Sequence, residues 1–152
     1  MQYEFILKEL LPTILECGFI LHIYGNRPNI LSIPVGVRHR GYLSNIVEVY
    51  KEIDLSLCPD FNGFGFKNKV QESLLSSRPV ITTPLGARGQ NMREGLIINS
   101  TPEEMRLALK KLSNRSLLNN LSVQMKLKNM RINESPETSN WVDDIVKKSF
   151  GE

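Results

Sequence analysis

From Tyr3 to Glu16 the apolar residues fall at Phe5, Ile6, Leu10, Leu11, Ile14 and Leu15, a spacing that predicts a helix with one buried face. Gly18 ends it, and the short apolar run Phe19 to Tyr24 predicts a buried strand stopped by Gly25-Asn26. After a polar loop, Val35 to His39 is a weaker strand. Leu43 to Ile53 returns to helical spacing, with Ile46, Val47, Val49 and Tyr50 facing inward. Asp54 to Cys58 reads as a strand ending at Pro59, and a glycine-rich loop follows from Asp60 to Phe66. A helix is expected from about Asn68 to Ser76, then the strand Pro79 to Thr83, a second loop from Pro84 to Arg93, and a last short strand, Leu96 to Ile98. Thr101 is placed to cap the next helix, with Pro102 as its first residue and Glu104 as the capping-box partner. The rest reads as helical apart from a polar break, Asn133 to Asn140.

Strands that alternate with helices imply βαβ units, hence a Rossmann-like α/β fold: a parallel sheet with helices on both faces. Such sheets bind ligands beyond the carboxyl ends of their strands, and both glycine loops follow predicted strands. The 152 residues suit one domain, residues 1–152, with 133–152 as its terminal helix region. The chain opens on a helix where a doubly wound sheet opens on a strand, so the domain is expected to lack its first strand.

Composition narrows the function classes. Apolar residues at 41% and charged residues at 23% are ordinary for a globular domain. A net charge of +3, from 19 basic and 16 acidic residues spread along the chain, argues against nucleic acid but suits a small anionic ligand. Cys17 and Cys58 show neither metal-ligand spacing nor a CxxC pattern, and they read as reduced thiols of an intracellular protein. Glu4 and Glu9 interrupt the apolar positions of the first helix, which argues against a signal peptide. No stretch approaches the ~20 apolar residues of a membrane span. The expected location is the cytoplasm.

The stretch that carries chemistry is PDFNGFGFKNKVQESLLSSRPVITTPLGARG, Pro59 to Gly89. At the end of a strand, Gly63-Phe64-Gly65-Phe66 lets backbone N–H groups approach a phosphate, and the following helix start adds unpaired donors and a positive dipole end. Lys67 and Lys69 add full charges at the same mouth, and Glu72, one turn into the helix, can accept from two vicinal ribose hydroxyls. Together these describe a nucleotide-diphosphate site. It is not a P-loop, because GxxxxGK[ST] is absent, and it is not a dinucleotide fingerprint, because GxGxxG is incomplete and late.

The whole run, G-x-G-x-K-x-K-x-x-E, a helix of small residues, R-P-V-I-T-T and then G-x-x-G, resembles the retaining GT-B glycosyltransferases of family 4, the group 1 transferases. The likeness extends to ILKELLPTILECGFILHIYG, RHRGYLSNIVEVYKEIDLSLCPD and TPEEMRLALKKL, covering about residues 4 to 148. It implies the C-terminal, donor-binding half of a GT-B fold that takes a nucleoside-diphosphate sugar as donor substrate. No metal or other cofactor is implied. Such a domain transfers a hexosyl unit to an acceptor glycan or lipid, as in cell-surface polysaccharide biosynthesis. On this alignment Glu72 holds the donor ribose. Gly63, Phe64, Gly65 and Phe66 face the diphosphate and sugar, Lys67 and Lys69 are the subgroup's lysines, and Gly86, Arg88 and Gly89 lie near the donor sugar.

This sequence departs from the family where Phe64 stands eight positions before Glu72, in place of the usual first glutamate. A GT-B enzyme works in the cleft between two domains, so an N-terminal partner half is expected from another chain or from outside this sequence. The alternative reading is a non-catalytic nucleotide-binding module, or a subunit that completes a split enzyme. His22 and His39 read as structural, Trp141 and Phe150 as packing residues of the terminal helices. Lys110, Lys111, Arg115, Lys126, Lys128 and Arg131 read as a solvated face, with peripheral membrane contact as the sharper alternative.

Overall fold

A computed structural model describes residues 2–25 and 33–133. Trp141, Phe150 and the polar break beyond Asn133 lie outside the described residues. The opening helix has three parts: α1 (Gln2–Phe5), a π-helical turn (Ile6–Leu10) and α2 (Leu11–Glu16). Pro12 accounts for the middle one. It has no N–H for the Lys8 carbonyl and its ring would press on that group, so the preceding turn widens and the Leu11 N–H donates to the Ile6 carbonyl instead. Gly18, at φ +74°, then ends α2 with paired reverse bonds, Phe19 N–H to the Ile14 carbonyl at 3.0 Å and Gly18 N–H to the Leu15 carbonyl at 2.9 Å.

Two parallel sheets follow. The first pairs β1 (Leu21–Tyr24) with β2 (Val37–Gly41), and the second runs β3 (Ser56–Cys58), β4 (Val80–Thr82), β5 (Leu96–Ile98). The parallel architecture expected from the alternation is therefore present, divided between two groups of strands. β2 begins two residues later than its apolar pattern suggests. Gly36, at φ +81°, sits in a turn that the Val37 N–H closes on the Pro34 carbonyl, and Val35 is left 91% exposed at the turn's tip.

The register of the three-stranded sheet explains its burial. Ser56, Val80 and Leu96 align across it, and so do Leu57, Ile81 and Ile97. Successive side chains point to opposite faces. Ile81 accordingly joins Leu10, Ile14, Met105, Leu109, Leu112 and Leu118 on one side, while Val80 joins Val70, Leu74 and Met125 on the other. The first face is covered by the opening helix and α5 (Pro102–Leu112), the second by α4 (Asn68–Leu75), with α6 (Arg115–Asn133) reaching both clusters. Helices thus lie on both faces of the sheet.

Three details differ from the sequence pattern. In α3 (Ile46–Glu52) Val49 and Tyr50 are buried, whereas Val47 is 51% exposed, because a helix this short turns only one narrow stripe inward. Leu15 of the opening helix is 38% exposed, with its tip against Gly36. The long C-terminal helix is broken between α5 and α6, where Asn114 Oδ1 accepts the Leu117 N–H at 3.1 Å and starts the new helix. The Thr101 capping box is present as the sequence predicts, with Glu104 N–H donating to Thr101 Oγ1 and the Thr101 N–H to Glu104 Oε2, each at 3.2 Å. Among the described residues no helix is long and apolar enough to cross a membrane.

Candidate functional site

Both glycine loops lie at the carboxyl edge of the three-stranded sheet, and polar side chains tie them together. The Thr82 hydroxyl donates to the Cys58 carbonyl at 2.7 Å, the Thr83 hydroxyl donates to the Asp60 carbonyl, and Gln90 Nε2 reaches the Lys67 carbonyl at 3.2 Å. All three side chains are buried, which makes these bonds costly to lose. Gly86 permits the approach, since a Cβ there would stand 2.1 Å from Thr82 Oγ1. Gly89 lies against the Phe66 ring, so the 60–66 loop rests on the 84–93 loop.

Within the first loop, Gly63 and Gly65 adopt φ of +102° and +86°, a backbone turn that L side chains resist. The turn leaves Phe64 99% exposed at the tip, while Phe61 folds back edge-on to Phe5 at a centroid distance of 4.7 Å. The loop leads into α4, whose N-cap, Lys67, gives no side-chain bond to the helix start. The first amides of α4 are therefore not covered by a cap.

The two lysines have different surroundings. Lys67 turns back across the loop, with its Nζ 2.5 Å from Asp60 Oδ2 and 3.4 Å from the Asn62 carbonyl. Asp60 also accepts from Gln2 Nε2 at 3.1 Å. Burial pushes the Asp60 carboxyl up, but the Lys67 and Gln2 hydrogen bonds, the Lys67 charge and the Asn62 N–H together hold it below the ordinary value. Lys69 is exposed on the first turn of α4 and makes no ion pair among the described residues. A cavity of about 290 Å³ opens here, walled by Gln2, Cys58, Asp60, Phe66, Lys67, Asn68, Lys69 and Val70. Burial, opposed by the Lys69 charge and reinforced by Glu72 and Asp60, pushes the Cys58 thiol up to about 11, so it stays protonated near neutral pH.

Glu72 lies one turn further along α4, half-buried and outside that wall, where Tyr50 Oη donates toward Glu72 Oε2 at 3.4 Å. Gly86 is buried at the base of the second loop, whereas Arg88 and Gly89 are on its surface, and Arg88 makes no ion pair among the described residues. Gly63 to Lys69 and Gly86 to Gly89 are thus brought to one edge. Asp60, Tyr50, Thr82, Thr83 and Gln90 complete that edge and were not singled out from sequence. In the sequence Tyr50 reads only as an inward residue of its helix, and Thr82-Thr83 only as the end of R-P-V-I-T-T.

The histidines lie in the other sheet. His22 Nδ1 is 3.5 Å from Tyr24 Oη, which donates to Glu52 Oε2 at 2.9 Å, and Arg40 pairs with the same carboxylate at 2.7 Å. Burial first, then the charges of Arg40 and Arg38, hold His22 below its ordinary value against the pull of Glu52. This carboxylate comes from the end of α3, and the local sequence around His22 does not contain it. His39 Nε2 is buried and has no hydrogen-bond partner among the described residues. Of the basic C-terminal residues, Arg115 pairs with Asp54 at 2.9 Å and lies over the Phe19 ring, and Lys128 pairs with Glu94.

The family model for glycosyl transferases group 1 matches residues 2–115, a stretch that contains both loops and all of α4. Comparison with curated proteins and with solved structures gave no match.

Proposed function

Because the chain belongs to the glycosyl transferases of group 1, we propose that its part in glycosyl transfer is to hold a nucleoside-diphosphate sugar at the carboxyl edge of the β3–β4–β5 sheet. The observation that carries this reading is the series Gly65, Lys69 and Glu72 on one strand–loop–helix turn, with the Gly86–Gly89 loop packed beside it. The uncapped start of α4 and the Lys69 ammonium meet the diphosphate. Glu72 accepts from the ribose hydroxyls. Gly86, Arg88 and Gly89 border the sugar.

In transfer, negative charge grows on the diphosphate as the glycosidic bond breaks. Fixed backbone donors and a lysine at that point stabilise the transition state more than the ground state, and no metal ion is needed for it. The sugar passes to an acceptor glycan or lipid with retention of configuration, against a second domain that closes the cleft. Calorimetric titration with UDP-, GDP- and ADP-sugars tests the reading, with Glu72→Ala beside the parent chain. Binding of one nucleotide class that weakens about tenfold in the variant is expected, the scale of a lost charge-assisted bond. Absence of binding of all three at millimolar concentration would refute it.

A further inference from the structure

We propose that Tyr50 is the positioning residue of this site, its hydroxyl fixing the Glu72 carboxylate relative to the first turn of α4. The inference rests on the reading of Glu72 as the ribose acceptor. Tyr50 comes from α3 and is 8% exposed, so its ring has one place to be. Its backbone is held as well, by Arg78 Nε donating to the Tyr50 carbonyl at 2.7 Å. From that anchored frame the hydroxyl reaches two acceptors, the Lys69 carbonyl at 3.2 Å and Glu72 Oε2 at 3.4 Å.

A phenol has one proton, so the two acceptors share it. That sharing couples the turn bearing the phosphate-facing lysine to the carboxylate that faces the ribose. A glutamate has three side-chain torsions, and a half-buried one has several rotamers to choose from. A donor on Oε2 selects those that leave Oε1 turned away from Tyr50, with both lone pairs available to vicinal hydroxyls. Burial, the Glu72 and Cys58 charges and the Glu72 hydrogen bond all push the Tyr50 phenol far up, so it remains a donor at neutral pH.

Tyr50→Phe removes the hydroxyl and nothing else, and it is compared with the parent, Glu72→Ala and the double variant. The probes are UDP, GDP and ADP, each beside its 2′-deoxy counterpart, with Kd read by calorimetry and folding checked by thermal melting. Tyr50→Phe is expected to weaken the ribonucleotide by about fivefold, the scale of one net hydrogen bond, while the 2′-deoxy form changes less than about twofold. In the Glu72→Ala background Tyr50→Phe should add nothing, because the group it positions is gone. Equal losses for ribo- and deoxynucleotide would mark Tyr50 as structural and overturn the proposal, as would no change in either or a fully additive double variant. If Glu72→Ala shifts the ribo-to-deoxy ratio and Tyr50→Phe does not, this inference alone fails. If the parent binds none of the nucleotides, the donor-site reading fails and this one falls with it.

Discussion

Replacing Asp60 by asparagine isolates the contact that closes the glycine loop. The carboxylate takes Lys67 Nζ at 2.5 Å and Gln2 Nε2 at 3.1 Å, and the ion-pair side chains are largely withdrawn from water, with Lys67 18% and Asp60 15% exposed. Asparagine keeps the shape and an acceptor for Gln2 but offers Lys67 no charge. A hydrogen bond to a charged group contributes about 1.5–3 kcal/mol net. The low end applies, about 1.5 kcal/mol, because the released ammonium sits close enough to the surface to regain water. For a chain of this length that corresponds to a fall in Tm of about 3–6 °C at neutral pH.

The pH dependence has a definite sign. Burial pushes Asp60 up and its four hydrogen-bond and charge contributions outweigh that, so its folded-state value lies below the unfolded one. A depressed carboxyl stabilises the fold above its unfolded pKa of about 3.9 and loses that contribution as pH falls toward the folded value. The gap in Tm between parent and Asp60→Asn should therefore be full at about pH 7 and close below about pH 4. Melting followed by circular dichroism across that range measures it. Equal Tm values at neutral pH, or a gap that persists unchanged in acid, would refute the pairing as a source of stability. The same variant frees Lys67 and removes a negative charge from the cavity wall, so affinity for a nucleoside diphosphate should rise by about threefold, the scale of one screened like charge at close range. Stability and affinity moving in opposite directions is the signature of a cation held in reserve.

Three further outcomes are expected. Lys69→Ala should weaken diphosphate binding about tenfold at low salt, and Lys67→Ala less, because of the two only Lys69 is without an ion pair among the described residues; calorimetry at two ionic strengths compares them. Gly86→Ala places a methyl 2.1 Å from Thr82 Oγ1, a fully buried atom bonded to the Cys58 carbonyl at 2.7 Å, and should destabilise the fold by about 2 kcal/mol in urea unfolding. Asn129→Ala removes an amide that donates to the Leu74 and Leu75 carbonyls and to Ser77 Oγ, at 3.0, 3.1 and 3.1 Å. Its loss should cost about 1–2 kcal/mol and speed amide exchange at Ser77, a non-glycine residue held at φ +57°.

What the sequence made legible was what local physics decides. The short apolar run from Pro79 marked a strand, and Thr101, Pro102 and Glu104 marked a helix start without any knowledge of its neighbours. Strand ends were less legible, because pairing stops where a turn takes over, as at Gly36, and not where β-branched residues run out. The π turn ahead of Pro12 and the division of the strands into two sheets depend on packing between segments distant in sequence. No periodicity encodes them.

The site divides along the same line, and the division bears on how it works. Glycines, lysines and a glutamate in one short stretch were visible because a phosphate-facing turn is built from neighbours in sequence. Their unequal roles were not visible, because each is set from outside: Lys67 by Asp60 across the loop, Glu72 by Tyr50 from α3, and the loop pair by Thr82, Thr83 and Gln90. Two lysines two residues apart thus differ in kind. One is an internal tie whose charge is already matched, and the other is a cation with no ion pair among the described residues, beside an uncapped helix start. An anionic ligand gains most from the second, because nothing in the protein has to be given up for that contact. The first would engage only by leaving Asp60, so a ligand held by Lys69 alone leaves the 60–66 loop in place, and one that also draws in Lys67 must rearrange that loop but not α4.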